Sequence, residues 1–275
     1  YSSSFINQWE KKIIEEKEEK EWTIYKVFWF DHETHLFVEA DIKIFKKFPA
    51  IEWLLYFENK GNKDTPIISN IQSIDVFLAT ENSNQYPIIH QLHGDSCDEN
   101  SFIPFDTPLL PDKELKITPT GGRSSSISGF PFMNFQYLHQ GIILAIGWTG
   151  QWAISFNYLK NKNYETHLQA GMELTHLKLH PGEKIRTPRI LIMKWEKDKI
   201  EAHNLFRKLL FTHYIPKING KIPELPIALT GFDRYNSLPN WATEKEQLEA
   251  VRVANKLGFD TYWLDASWFV GNFPN

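Results

Sequence analysis

Short runs of alternating apolar and polar residues fill most of this sequence, and turn-forming residues break them up. Trp22–Phe30, Leu36–Phe45, Ala50–Glu58 and Ile67–Ala79 read as strands, separated by Asp31–Thr34, Phe48-Pro49 and Asn59–Pro66. Leu115–Thr118, His167–Leu179 and Ile185–Trp195 continue the pattern, with Pro181-Gly182 as a turn signal. Strands of about ten residues with turns between them predict an antiparallel sandwich. The charge run Glu10–Trp22 reads as a solvated helix or an exposed strand edge. Ile88–Asp106 is the least regular stretch of the β region.

Gly141–Phe156 looks like the centre of this β region. Gly141–Trp148 is nearly all apolar, as expected of a strand buried on both faces. Thr149-Gly150 interrupts it, and Gln151–Phe156 then alternates with Trp152, Ile154 and Phe156 on one face. The pattern predicts a tight hairpin with Gly150 at positive φ and an indole on either side of the turn. Beside the glycine-rich Gly121–Ser126, Trp148 and Trp152 fit either a core corner or a platform on which sugar rings stack.

After Trp195 the period changes. Ala202, Leu205, Phe206, Leu209 and Leu210 recur at helical spacing, so Lys199–Tyr214 is expected to be an amphipathic helix. A connector with three prolines, Ile215–Pro226, marks a domain boundary. Beyond it the order is β-α-β. Ile227–Phe232 and Phe259–Leu264 are strands, and Thr243 with Glu246 forms a capping box. Leu248, Val251 and Ala254 are expected to face inward, and Gly258 to end the helix in a left-handed turn. Parallel strands joined through a helix suggest the opening of a (β/α)8 barrel, whose full length of about 200 residues or more exceeds the 50 that remain. The expected division is 1–198 sandwich, 199–225 helical linker and connector, and 226–275 an incomplete barrel. The last residues read as the middle of a loop, so the chain is expected to be a piece of something longer.

Composition narrows the function. The 275 residues carry a net charge of −4 with both signs interspersed, so there is no electrostatic footprint for nucleic acid. No apolar stretch reaches the length of a membrane span. The single cysteine, Cys97, allows no internal disulfide and disfavours a thiolate zinc site. His90 and His93 lack a following carboxylate at helical spacing. Asp95, Asp98 and Glu99 lack the register of a calcium loop, so no metal and no cofactor is expected. Aromatics reach 15% of residues, with ten Trp, which favours a carbohydrate ligand over other small molecules.

Candidate chemistry sits at the ends of the last two strands, because substrate binds at the carboxyl ends of barrel strands. Asp265 follows the second strand in DTYWLDASWF with Trp263 and Trp268 nearby, and can accept from sugar hydroxyls or cap the following loop. Asp233 and Arg234 follow the first strand, as binding residues or as a mutual ion pair.

From Trp22 to Asn275 the sequence resembles family 36 glycoside hydrolases, the α-galactosidase group with raffinose-synthase relatives. The marks are GGRSSS with the following PFMNF, AIGWTGQW, LHPGEKIRTPRI, FRKLL and LGFDTYWLDASWF. The resemblance implies an N-terminal β-supersandwich, a helical linker and a catalytic (β/α)8 barrel. It implies metal-independent cleavage of terminal α-galactosides, or of related sugars, with retention of configuration. Asp265 matches the first sugar-binding aspartate of the family's LDDGW motif and Trp268 its tryptophan, while Ala266 and Ser267 replace the second aspartate and the glycine. Phe232 stands where many members carry a tryptophan. The catalytic aspartates of that family match no residue here and are expected beyond Asn275. An oligosaccharide or glycoside is the implied substrate, and a homo-oligomer formed through the sandwich is a further expectation. The alternatives are a raffinose-synthase-like transglycosylase and a non-catalytic carbohydrate-binding or assembly module.

Overall fold

In a computed structural model, residues 2–80, 85–159, 164–230 and 243–264 are described. The chain forms one compact unit up to Thr212 and a second from His213 on.

The first unit is mainly β. Its strands are β1 (Glu10–Glu18), β2 (Trp22–Phe30), β3 (Leu36–Phe45), β4 (Ala50–Asn59), β5 (Ile68–Ser69), β6 (Gln72–Ala79), β7 (Ile88–Leu92) and β8 (Pro104–Pro108). They continue as β9 (Glu114–Ile117), β10 (Phe132–Tyr137), β11 (Gln140–Gly147), β12 (Trp152–Leu159), β13 (Glu165–Met172), β14 (His176–Leu177), β15 (Lys184–Arg186) and β16 (Arg189–Glu196). Helix α1 (Lys199–His213) follows. Among the described residues, a ten-stranded sheet runs β1-β2-β3-β4-β16-β11-β10-β7-β8 with β15 also on β4, and a four-stranded sheet runs β6-β13-β12-β9. Every strand pair in these two sheets is antiparallel.

The sheets pack face to face, as their alternation requires. In β12, buried Trp152, Ile154, Phe156 and Tyr158 alternate with less buried neighbours. This face shares one core with Ile89, Met133, Phe135, Leu144, Ile146 and Ile190 of the large sheet. Phe135 and Phe156 stack across the interface at 6.4 Å. Trp53 of β4 spans it as well, its indole N–H donating to Ser73 O at 2.7 Å. β1 settles the reading of the charge run: it is an edge strand.

Several expectations are corrected. Gly141–Phe156 is not a hairpin. β11 pairs with β10 and β16 in the large sheet, whereas β12 pairs with β13 and β9 in the small one, so Thr149-Gly150 crosses between layers. Gly150 accordingly stays outside the left-handed region that a hairpin turn would need. Ile67–Ala79 is two strands, split where Asn70 takes φ 52. The irregular stretch from Ile88 contains β7 and β8.

α1 lies on the face of the large sheet that turns away from this core. Phe206 meets Phe132 edge to face at 5.5 Å, and Ala202, Phe206 and Leu209 are buried. A polar relay orients the contact. Trp195 Nε1 can only donate, and it does so to Asn134 Oδ1 at 2.8 Å. The other end of that amide, Nδ2, therefore donates to His203 Nε2 at 3.0 Å, which requires an unprotonated Nε2. Burial, then the charges of His90 and Lys199, hold His203 below its ordinary value. Gly141 lies opposite Trp195 in the ladder because the indole needs its space. A Cβ there would sit 2.1 Å from Phe135 O and 2.8 Å from the ring.

Two outcomes follow from α1 and its bed. Gly141→Ala should destabilise by about 1–3 kcal/mol, read as a lower melting temperature with unchanged far-UV spectrum. Between the depressed folded pKa of His203 and an unfolded value of about 6.5, the unfolded chain holds more protons, so stability falls as pH drops through that window. Acidification from about pH 7 to 5.5 should cost the parent protein more thermal stability than the His203→Gln variant, whose side chain can still accept from Asn134.

Candidate functional site

In the second unit, β17 (Ala228–Thr230), α2 (Glu244–Leu257) and β18 (Thr261–Trp263) form a β-α-β unit. β17 and β18 are parallel, with Ala228 opposite Thr261, Leu229 opposite Tyr262 and Thr230 opposite Trp263. Local chemistry fixes both ends of the helix between them. Thr243 accepts from Glu246 N at 3.4 Å and donates its hydroxyl to the Glu246 carboxylate at 2.8 Å, as the capping box predicts. Gly258 ends the helix at φ 82, and its N–H donates to Ala254 O and Asn255 O. Tyr262 then ties β18 to α2 by donating to Gln247 Oε1 at 2.7 Å, and burial raises its phenol above the usual range.

Opposite this, at the amino ends of the strands, the Asp260 carboxylate accepts from Ile227 N at 3.0 Å, and Asp260 N donates to Ile227 O at 3.0 Å. This double tether brings the two strands in together and lets them leave together past Thr230 and Trp263. Asp233 is three residues beyond Thr230, and Asp265 two beyond Trp263. Asp233, Arg234, Asp265 and Trp268 themselves lie outside the described residues, as do Phe232, Ala266 and Ser267. Of the three α2 residues expected inward, Ala254 is buried, but Leu248 and Val251 are 50% and 44% exposed. The paired strands offer the helix three residues each, an area too small to cover its whole apolar stripe.

The two indoles of the first unit resolve differently. Trp152 is fully buried, and its indole N–H donates to Ser124 O at 2.9 Å. Trp148 is partly buried, with the Arg186 guanidinium 5.0 Å over its ring. The core-corner reading therefore holds for Trp152, whose ring presents no face to a ligand. The neighbouring Gln151 explains the glycine-rich loop. Its Oε1 accepts from Gly122 N at 3.1 Å, and its Nε2 donates to Thr118 Oγ1 at 3.0 Å, to Glu173 Oε2 at 2.9 Å and to Pro119 O. Gly121 and Gly122 sit at φ 71 and 68, which only glycine adopts freely, and so return the chain to that amide. The loop is a structural clasp. His90 joins Asp106 and Gln136 at 2.6 Å each, and His93 Nδ1 lies 3.0 Å from Ile127 O. Among the described residues, no group of three or more His, Cys, Asp or Glu is arranged to hold a metal. None of the described helices is long and apolar enough to cross a membrane.

A patch that sequence reading missed lies on the first unit. On the face of β2, β3, β4 and β16, the nearly buried carboxylates Glu39 and Glu52 are each held by two cations. Lys26 and Lys184 reach Glu39 at 2.9 and 3.0 Å, and Lys43 and Arg189 reach Glu52 at 2.9 and 3.4 Å. Burial acts to raise the Glu39 pKa, but the two ammonium groups outweigh it and the net shift is downward. Alternating charges at every second position of adjacent strands were the available signal: Glu39, Asp41 and Lys43 share one face of β3.

The fold has counterparts among solved structures. The α-galactosidase AgaA of Geobacillus stearothermophilus, a family 36 glycoside hydrolase, matches 95% of this chain with a TM-score of 0.72 at 19% identity. AgaB of the same organism matches 95% with a TM-score of 0.71 at 19% identity. An α-galactosidase of Lactobacillus brevis matches 95% at 0.68 and 14% identity. This chain spans 37%, 37% and 36% of those three proteins respectively. Variants of AgaA have been solved with stachyose and with raffinose. No protein-family model and no curated protein matches the sequence. The mainly β architecture is thus that of the N-terminal sandwich of family 36 enzymes.

The clasp makes one outcome testable. Gln151→Ala removes four bonds that hold Gly122, Thr118, Pro119 and Glu173 together. Limited trypsin digestion should then cut after exposed Arg123 several-fold faster than in the parent, with cleavage elsewhere unchanged.

Proposed function

We propose that this chain is the N-terminal part of a retaining α-glycosidase of the α-galactosidase kind, with 199–225 as linker and 226–275 as the opening of its catalytic barrel. The observation that carries the reading is the parallel β17–α2–β18 unit following a sandwich like that of α-galactosidases, with LDASW at the exit of its second strand. Parallel register sends both strands out at one end, the end at which barrel enzymes bind substrate. In this reading the Asp265 carboxylate accepts hydrogen bonds from sugar hydroxyls, Trp268 shapes the pocket, and Asp233 and Arg234 line it from the neighbouring strand. One aspartate further along the barrel attacks the anomeric carbon and a second protonates the leaving oxygen, the two about 5–5.5 Å apart. With Ala266 in place of a second carboxylate, discrimination among sugars rests on fewer buried acceptors.

The test uses the enzyme with its whole barrel. Asp265→Asn should lower kcat/KM on nitrophenyl α-galactoside at least about tenfold, since a hydrogen bond to a charged group contributes roughly 1.5–3 kcal/mol. Turnover within a factor of two of the parent would sink the assignment. The preference for α-galactoside over α-glucoside and α-N-acetylgalactosaminide should stay below about 10⁴, because larger ratios need a dedicated set of buried polar partners.

A further inference from the structure

The charged face of the large sheet encloses a cavity of about 340 Å³, lined among others by Lys26, Asp41, Lys43, Glu52, Tyr56 and Arg189. That volume falls within the range of small-molecule sites. Most of the charges around it are matched: Glu52 by Lys43 and Arg189, and Glu39 beside it by Lys26 and Lys184. Asp41 is the exception. Its Oδ1 is shut off from bulk water and accepts no hydrogen bond among the described residues, although Lys26 Nζ stands 3.5 Å away. A carboxylate oxygen in that position needs a donor, because leaving it bare costs its full desolvation.

The lining also discriminates among classes of ligand. An inorganic anion would meet Asp41 and Glu52, and a divalent cation would meet Lys26, Lys43 and Arg189. An apolar molecule would strand all five charges. A neutral molecule with several hydroxyls suits the site, because each hydroxyl donates to a carboxylate while accepting from an ammonium or guanidinium. Tyr56 adds an apolar wall of the kind that sugar rings contact.

We propose that this face of the sandwich is a saccharide-binding site, separate from the barrel strands, in which Asp41 accepts from a ring hydroxyl. Its residues belong wholly to the first unit, so it stands independently of the glycosidase reading.

The experiment titrates the 275-residue chain carrying Asp265→Asn with methyl α-galactoside, raffinose and sulfate, following backbone amide shifts. The Asp265→Asn background removes the barrel candidate, so failure of the glycosidase reading leaves this result untouched. Saccharide should shift the amides of β3 and β4 around Asp41 and Glu52. Asp41→Asn should weaken that binding at least about tenfold, and Asp41→Glu, which keeps the charge, should recover part of it. Glu114→Gln on the small sheet should bind as the parent does. Thermal melts matching the parent's establish that the Asp41 variants fold. No saccharide response, a response unaltered by Asp41→Asn, or a response to sulfate alone would each overturn the proposal.

Discussion

The sandwich depends on the burial of Trp152. Its ring has no exposure, and a buried indole N–H must find an acceptor or lose its solvation uncompensated. Ser124 O is that acceptor, and Ser124 belongs to a loop that can come back only because Gly121 and Gly122 adopt left-handed backbone. Gln151, next in the chain, bonds the same loop and Glu173 at the end of β13. One ring thus fixes the crossing between layers, the glycine loop and an edge of the small sheet. The remaining core residues, Phe135 and Phe156 among them, close around that arrangement.

The second unit is built on a different economy. Its parallel strands are short, and the residues that hold them are polar: Asp260 with Ile227 at one end, and Tyr262 with Gln247 against the helix. The side of the strand pair away from α2 leaves Trp263 61% exposed. Parallel sheets usually carry cover on both faces. An apolar residue standing open on such a sheet is the normal condition of a surface that further strands and helices bury, which agrees with the barrel reading.

Legibility varied with how local the controlling physics is. β2 and β3 were readable to the residue, because alternation within one strand reports its two faces. The cap at Thr243 and the stop at Gly258 were readable for the same reason, each set by groups within four residues. The crossing at Thr149-Gly150 was not. A break of two residues between apolar strands looks the same whether the chain turns back or changes layers, and only the partners of β11 and β12 decide it. The charged cavity was illegible as well, since Asp41, Glu52 and Arg189 come from strands far apart in sequence. The residues singled out for sugar chemistry, Asp233, Arg234, Asp265 and Trp268, were found from a motif, and the strand register places only the ends that lead to them.

The outermost strands of the large sheet bear on how this molecule meets others. β1 carries seven charged side chains among its nine residues, and β8 begins and ends in proline, which has no N–H to offer. Strand-by-strand growth is disfavoured at a highly charged edge and interrupted at a proline-bearing one. The sheet is therefore terminated by side-chain chemistry, although its topology leaves both margins open. A second protein molecule would have to approach through a face or a loop, by matching shape and charge, since neither margin offers it a ladder of backbone bonds.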